Sequence, residues 1–293
     1  MLNILKNYKI WFAISGLTLV IGVCSLVVFG MKLGIDFTGG SLIEITLNQT
    51  TDLGIVKQEL NKLGLENSQA QTTESNGILI KTHPLTKTEF DAFIAKFNEQ
   101  IKIKEILKFE TIGPIVGKEL KTKAVYQLGL VCLGILLYIG YAFRKVTKPV
   151  SSWKFGISAI IALFHDLFIM LGAFSLLGKF YNIEIDSMFI TAILTVMGFS
   201  VHDTIVVFDR IRENLRYLGN KTLKEVIDIS VSQTIVRSLN TSLTVLFVLT
   251  ALLLFGGETI RYFVLALFIG IFAGTYSSIF IASPILMLLN KKS

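Results

Sequence analysis

Residues 188–208 read MFITAILTVMGFSVHDTIVVF. Apart from His202 and Asp203 the run is free of ionisable groups, and it reaches the roughly 20 residues that a membrane-spanning helix needs. Read as a helix, it carries an acid into hydrocarbon. An aspartate at the centre of a span costs roughly 2.5–3.5 kcal/mol on insertion scales, so it marks a functional position whose partner must be found. Working outward, charge-free stretches cover residues 10–31, 124–143, 238–257 and 262–290, and residues 155–178 are broken only by His165 and Asp166. These six segments predict six spans. A chain that is 52% hydrophobic and 17% charged agrees.

The net charge of +7 is not spread evenly. Across residues 32–123, twelve lysines balance twelve acids. The excess lies at Lys6 and Lys9, at Arg144, Lys145, Lys148 and Lys154, at five basic residues between Asp209 and Asp228, and at Lys291 and Lys292. These are alternate short connections; the others hold Lys179 and Arg261 against Glu184, Asp186 and Glu258. The positive-inside rule then places both termini in the cytoplasm and residues 32–123 outside. The basic balance needs no nucleic acid to explain it. The first span has an apolar stretch longer than a signal-peptide core and no A-x-A-like site after it, so an uncleaved anchor is expected. Cys24 and Cys132 both fall inside spans, and without a Cys/His cluster neither a metal nor a cofactor is expected. The expected domains are residues 1–31 (N-terminus and first span), 32–123 (external) and 124–293 (spans two to six with the C-terminus).

The external segment has the pattern of a small α+β unit. SLIEITL (41–47) alternates as a half-buried strand, and residues 52–65 repeat Leu53, Val56, Leu60 and Leu63 at helical spacing. GILIKT (77–82) is a second strand signal with a weaker one before it. Thr86 with Glu89 forms a capping-box pattern ahead of Phe90, Phe93, Ile94, Phe97 and Ile101. A last strand near residues 105–112 completes a ferredoxin-like βαββαβ order. His83 is the only histidine, and nothing in the segment has a catalytic pattern. In GIDFTGG (34–40), Asp36, Gly39 and Gly40 lead from the membrane into the first strand, and a tight turn is favoured over direct ligand contact.

Within the spans the formal charges are Asp166, Asp203 and Arg237, accompanied by His165 and His202. Neighbouring helical residues point about 100° apart, so each histidine and its aspartate are expected to find company on other helices. Ser230, Gln233, Arg237, Asn240, Thr241 and Thr244 make a polar stripe, expected to face the bundle or a watery path. The fifth span is expected to enter at about Arg237, at the depth of Asp203 on the antiparallel fourth span. A salt bridge between the two is the economical expectation, either as a structural ion pair or as a proton switch. The histidines could titrate near neutral pH.

Five stretches in order carry a resemblance: GIDFTGGSLIEI, IGPIVGKEL (112–120), the HD of the third span, GFSVHDTIVVFDRIREN, and SQTIVRSLNTSLT entering the fifth. Together they resemble the SecF branch of the SecD/SecF family, within the resistance-nodulation-division superfamily, over nearly the whole chain. The resemblance implies a subunit of the bacterial inner membrane that pairs with a SecD-like partner. The pair would use the proton gradient to draw unfolded exported polypeptides through the SecYEG channel, with YajC and YidC as further partners. It also implies that Asp203 and Arg237 are the relevant positions and that SecD supplies another essential acid. His202 stands where the family pattern has Asn. The rival readings are an exporter of small molecules or lipids from the same superfamily, a purely structural subunit, and an intramembrane hydrolase. The last would need Ser200 as nucleophile, without a visible base geometry.

Overall fold

The computed structural model describes all residues except 1–3, 49–51, 66–67, 74–76, 145–149, 219 and 291–293. Lys145, Lys148, Lys291 and Lys292, used above for orientation, lie outside the described residues. Two compact units form: Met1–Lys32 with Tyr126–Ser293, and Leu33–Val125. Among the described residues, six helices are long and apolar enough to cross a membrane.

The first is α1 (Tyr8–Phe29), which a short 3-10 turn precedes. The second unit then begins with α2 (Ile35–Thr38), continues through β1 (Gly40–Leu47), α3 (Leu53–Lys62), β2 (Gln69–Thr72), β3 (Gly77–Thr82), α4 (Lys87–Gln100) and β4 (Ile103–Ile112), and leads into α5 (Pro114–Ala142). The strands form one antiparallel sheet in the order β2-β3-β1-β4. This order puts β1 between β3 and β4, as the split βαββαβ arrangement requires. The inward residues of β1, Ile43, Ile45 and Leu47, meet Val56 and Leu60 of α3 and Phe90, Phe93 and Phe97 of α4 in one core. The capping box starts α4 as its sequence predicts: Glu89 N–H donates to Thr86 Oγ1 at 3.3 Å, and Thr86 N–H donates to Glu89 Oε2 at 2.8 Å. The Thr86 N–H and hydroxyl hold the Glu89 carboxyl below the usual carboxylate range. The contribution is complete above the usual carboxylate pKa and is lost as pH falls through the lowered one.

The glycines of the GIDFTGG stretch are fixed by backbone contact. Gly39 and Gly40 have φ of 75° and 133°, values that favour glycine. A Cβ on Gly39 would lie 2.9 Å from Pro114 Cα, and one on Gly40 would lie 2.8 Å from the Thr82 carbonyl oxygen. Gly117, in the IGPIVGKEL stretch, returns the contact, since its Cβ would fall 3.0 Å from Gly39 N. The two motifs at opposite ends of this unit therefore pack on each other. Pro114 opens α5, where a missing N–H is harmless.

The remaining helices are α6 (Ser152–Tyr181), α7 (Ser187–Tyr217), α8 (Leu223–Phe255), α9 (Glu258–Ser277), a π segment (Ser278–Ala282) and α10 (Ser283–Asn290). Small residues let them approach closely, as membrane packing demands. α1 and α6 touch at Gly22 and Gly172, where a Cβ on Gly172 would lie 2.4 Å from Gly22 Cα. Beside this crossing Ser25 Oγ donates to Ser175 Oγ at 2.8 Å, and Ser175 Oγ donates to the Gly30 carbonyl at 2.6 Å. α7 and α9 meet at Gly270 and Gly274, where added Cβ atoms would lie 2.4 Å from Val196 Cγ2 and 3.0 Å from Ser200 Cβ. At the other end of the bundle Asp228 of α8 accepts the Leu5 N–H at 2.9 Å, fixing the N-terminal turn. The π segment has a local cause. Pro284 offers no N–H to the Phe280 carbonyl and crowds it, so the hydrogen-bond ladder widens just ahead.

Gly172→Ala should destabilise the detergent-solubilised protein by about 1–3 kcal/mol through overpacking, read as a lower thermal unfolding midpoint. Gly129→Ala, with no atom within 4 Å of the added Cβ, should not lower it.

Candidate functional site: buried carboxylates beside an open polar face

The membrane unit gathers its acids where α6, α7 and α9 meet. Asp166, fully buried on α6, accepts from Ser200 Oγ of α7 at 2.6 Å and from Ser277 Oγ of α9 at 2.7 Å. Its other oxygen lies 3.0 Å from His165 Nδ1. This corrects the expectation that the two neighbours seek partners only elsewhere. The imidazole bends back to the adjacent carboxylate, while the two hydroxyls come from other helices. With Asp166 ionised, Nδ1 is the donor, and the buried Nε2 has no hydrogen-bond partner among the described residues. The ring stacks at 6.2 Å on Tyr276, whose hydroxyl donates to the Trp11 carbonyl of α1 at 3.0 Å.

Asp203, buried on α7, accepts from Ser278 Oγ at 2.6 Å. It forms no ion pair with Arg237, contrary to expectation. The register reasoning itself holds: each residue lies 14 positions from the α7–α8 turn, about 21 Å along its helix. Rotation separates them. Asp203 turns into the bundle toward the π segment, whereas Arg237 is exposed on the outer side of α8. Nor does Arg237 begin its helix. α8 starts at Leu223 behind a second capping box, Thr222 with Glu225, a pattern present in the sequence that the run of charges around it obscured.

The polar stripe divides in two. Ser230 and Gln233 tie α8 to α7: Asn214 Nδ2 donates to Ser230 Oγ and to Gln233 Oε1, both at 2.9 Å, and Arg210 Nε donates to Gln233 Oε1 at 2.6 Å. Arg237, Asn240, Thr241 and Thr244 are exposed instead of facing the bundle. Thr241 and Thr244 bond back to the carbonyls of Arg237 and Asn240, so the guanidinium and the Asn240 amide remain presented outward. His202 of α7 is exposed as well. Asp36, Gly39 and Gly40 belong to the other unit, where the two glycines serve the turn described above. The serine pair Ser277–Ser278 was not singled out from the sequence, although two adjacent hydroxyls five residues before a Ser-Pro step in an apolar span were visible there.

Residues 93–292 match the family model described as "Protein export membrane protein SecD/SecF, C-terminal", and residues 25–51 match the "SecD/SecF GG Motif". The chain belongs to the SecD/SecF family. It is 42% identical over 301 residues to the protein translocase subunit SecF of Thermobaculum terrenum, covering 98% of this chain and 93% of that one. Its identity to the SecF of Pseudomonas aeruginosa is 38%, covering 100% and 92%. Among solved structures it resembles SecDF of Thermus thermophilus, a translocon-associated membrane protein, at 35% identity and a TM-score of 0.86. A second SecDF structure, in a super-membrane-facing form, gives 32% identity and a TM-score of 0.71. The chain spans 39% of each of those two longer chains.

In this SecD/SecF chain the two acids should differ under truncation. Asp166→Ala leaves Ser200 Oγ and His165 Nδ1 without their acceptor, at about 1–3 kcal/mol for each buried group left unpaired, whereas Ser277 after that change and Ser278 after Asp203→Ala each keep a carbonyl of their own helix. The thermal unfolding midpoint should therefore fall further for Asp166→Ala. Equal falls would mean that the hydroxyl contacts contribute little.

Proposed function

We propose that this chain is the SecF-type half of a proton-driven protein-export complex, lies in the bacterial inner membrane with both termini cytoplasmic, and makes or breaks no covalent bond in its substrate. One observation carries the reading. Arg237 and Asn240 stand on an open helix face, about 21 and 26 Å from the α7–α8 turn. A charge facing hydrocarbon costs roughly 2.5–3.5 kcal/mol even on the lenient scales, so such a face needs water or a polar partner. A SecD-like subunit carrying a carboxylate is the partner whose chemistry fits. Asp203, at the axial level of Arg237 and held among the described residues by one neutral hydroxyl, can gain or lose a proton without breaking an ion pair inside the chain. A proton entering between the subunits would then alter how α7 and α9 pack, and the partner would sense it through α8.

The family resemblance extends the assembly to the SecYEG channel, with YajC and YidC as further members, and makes unfolded exported polypeptides the cargo. A small-molecule exporter is the less economical reading, given a compact external unit built around an ordinary core.

Three substitutions test this in cells with an intact gradient. Asp203→Asn should co-purify normally with the partner but lose the gradient-dependent part of precursor export. Arg237→Met should lose partner co-purification and export together. His202→Asn should export at the native level, since the exposed ring holds no hydrogen bond to other described residues. Native export by Asp203→Asn at matched membrane level would refute the energy-coupling role.

A further inference from the structure

We propose that Ser277 and Ser278 are positioning residues that couple the two buried carboxylates, making the π segment the element that responds when either takes up a proton. The proposal rests on the reading of Asp203 as a proton carrier. Adjacent residues of one helix here serve acids on two different helices: Ser277 donates to Asp166 of α6, and Ser278 donates to Asp203 of α7. Each hydroxyl also has a second acceptor on its own helix, the Gly274 carbonyl at 3.2 Å for Ser277 and the Thr275 carbonyl at 3.0 Å for Ser278. A hydroxyl has one proton to give. Beside an ionised carboxylate it goes to the carboxylate, because a charged acceptor makes the stronger bond. Once a proton binds the carboxylate oxygen, that advantage is gone and the serine turns to its own helix. No bond between heavy atoms forms or breaks.

The place in the helix matters. Ser277 ends α9 and Ser278 begins the π segment, where Pro284 already disturbs the ladder and Ser283 Oγ reaches the Ser278 carbonyl at 3.3 Å. Segments of this kind shift between α and π hydrogen bonding, and they concentrate at functional sites. Turning one serine changes the backbone that holds the other. The ionisable groups around the pair, besides the two aspartates, are His165 beside Asp166 and Tyr276 of α9 stacked on that ring, while His202 of α7 and Arg237 of α8 are exposed. Among the described residues α1 contributes Trp11 and Ser15 against Tyr276, and α10 carries no charged side chain among its described residues.

Infrared difference spectroscopy on the full chain reconstituted with its partner reads this directly. The carbonyl band of protonated Asp203 is identified by its loss in Asp203→Asn. In the native background, Asp166→Asn should shift both the position of that band and the pH at which it grows in. In a Ser277→Ala or Ser278→Ala background the same substitution should produce no shift, and Ser277→Thr should restore it. Overturning results are a shift that persists without the serines, which would mean plain electrostatics across space, no shift in the native protein, or no titrating Asp203 band. Export is scored separately, so a chain that keeps the coupling while Asp203→Asn exports normally would refute the export reading and leave the coupling standing.

Discussion

Hydrocarbon accepts a charge only where water, a counter-charge or several hydrogen bonds replace its lost hydration, and the helical unit is arranged around that constraint. Its carboxylates turn inward and are met by hydroxyls. Hydrogen bonds to a charged group contribute about 1.5–3 kcal/mol each, so the two hydroxyls and the imidazole around Asp166 offset much of its burial. Asp203 has a single hydroxyl and is the less firmly held of the two. Its cation is treated in the opposite way: Arg237 faces out with Asn240, which leaves a surface that is incomplete until something covers it. Inward acids and an outward base at the same axial level distinguish this bundle from one in which an internal ion pair merely fixes packing.

The close crossings follow from the same constraint. Serines can reach across to the acids only if backbones nearly touch, and Gly274 brings α9 against α7 at Ser200, the residue that also donates to Asp166. Gly22 and Gly172 do likewise for α1 and α6. The unit of residues 33–125 is stabilised differently, by an apolar core between its sheet and two helices, and its motif glycines serve backbone contacts.

Much of this was legible in the residues. The spans could be read because hydrocarbon thickness sets a minimum apolar length, and α4 and β3 because their periodicity and cap are local features. The depth match between Asp203 and Arg237 could also be read, since rise per residue is nearly constant. Rotation about the helix axis could not. It depends on which glycines meet which neighbours, and it decided that Asp203 turns toward Ser278 while Arg237 turns outward. The His165–Asp166 contact escaped for a related reason: a 100° separation between Cβ directions does not prevent an imidazole from bending back once burial removes every other acceptor. The start of α8 was missed because the hydrophobic run begins well after the helix does, whereas its cap, Thr222 with Glu225, lies in polar sequence.

The central claim is that a polar partner covers the outer face of α8. Site-directed spin labelling at Thr244→Cys, in a chain with Cys24 and Cys132 replaced by alanine, tests it through accessibility to oxygen, which partitions into lipid. Low oxygen accessibility in the assembled complex, rising sharply when the chain is reconstituted without its partner, is the predicted result. High accessibility in both states would mean that the face meets lipid, and would contradict the account.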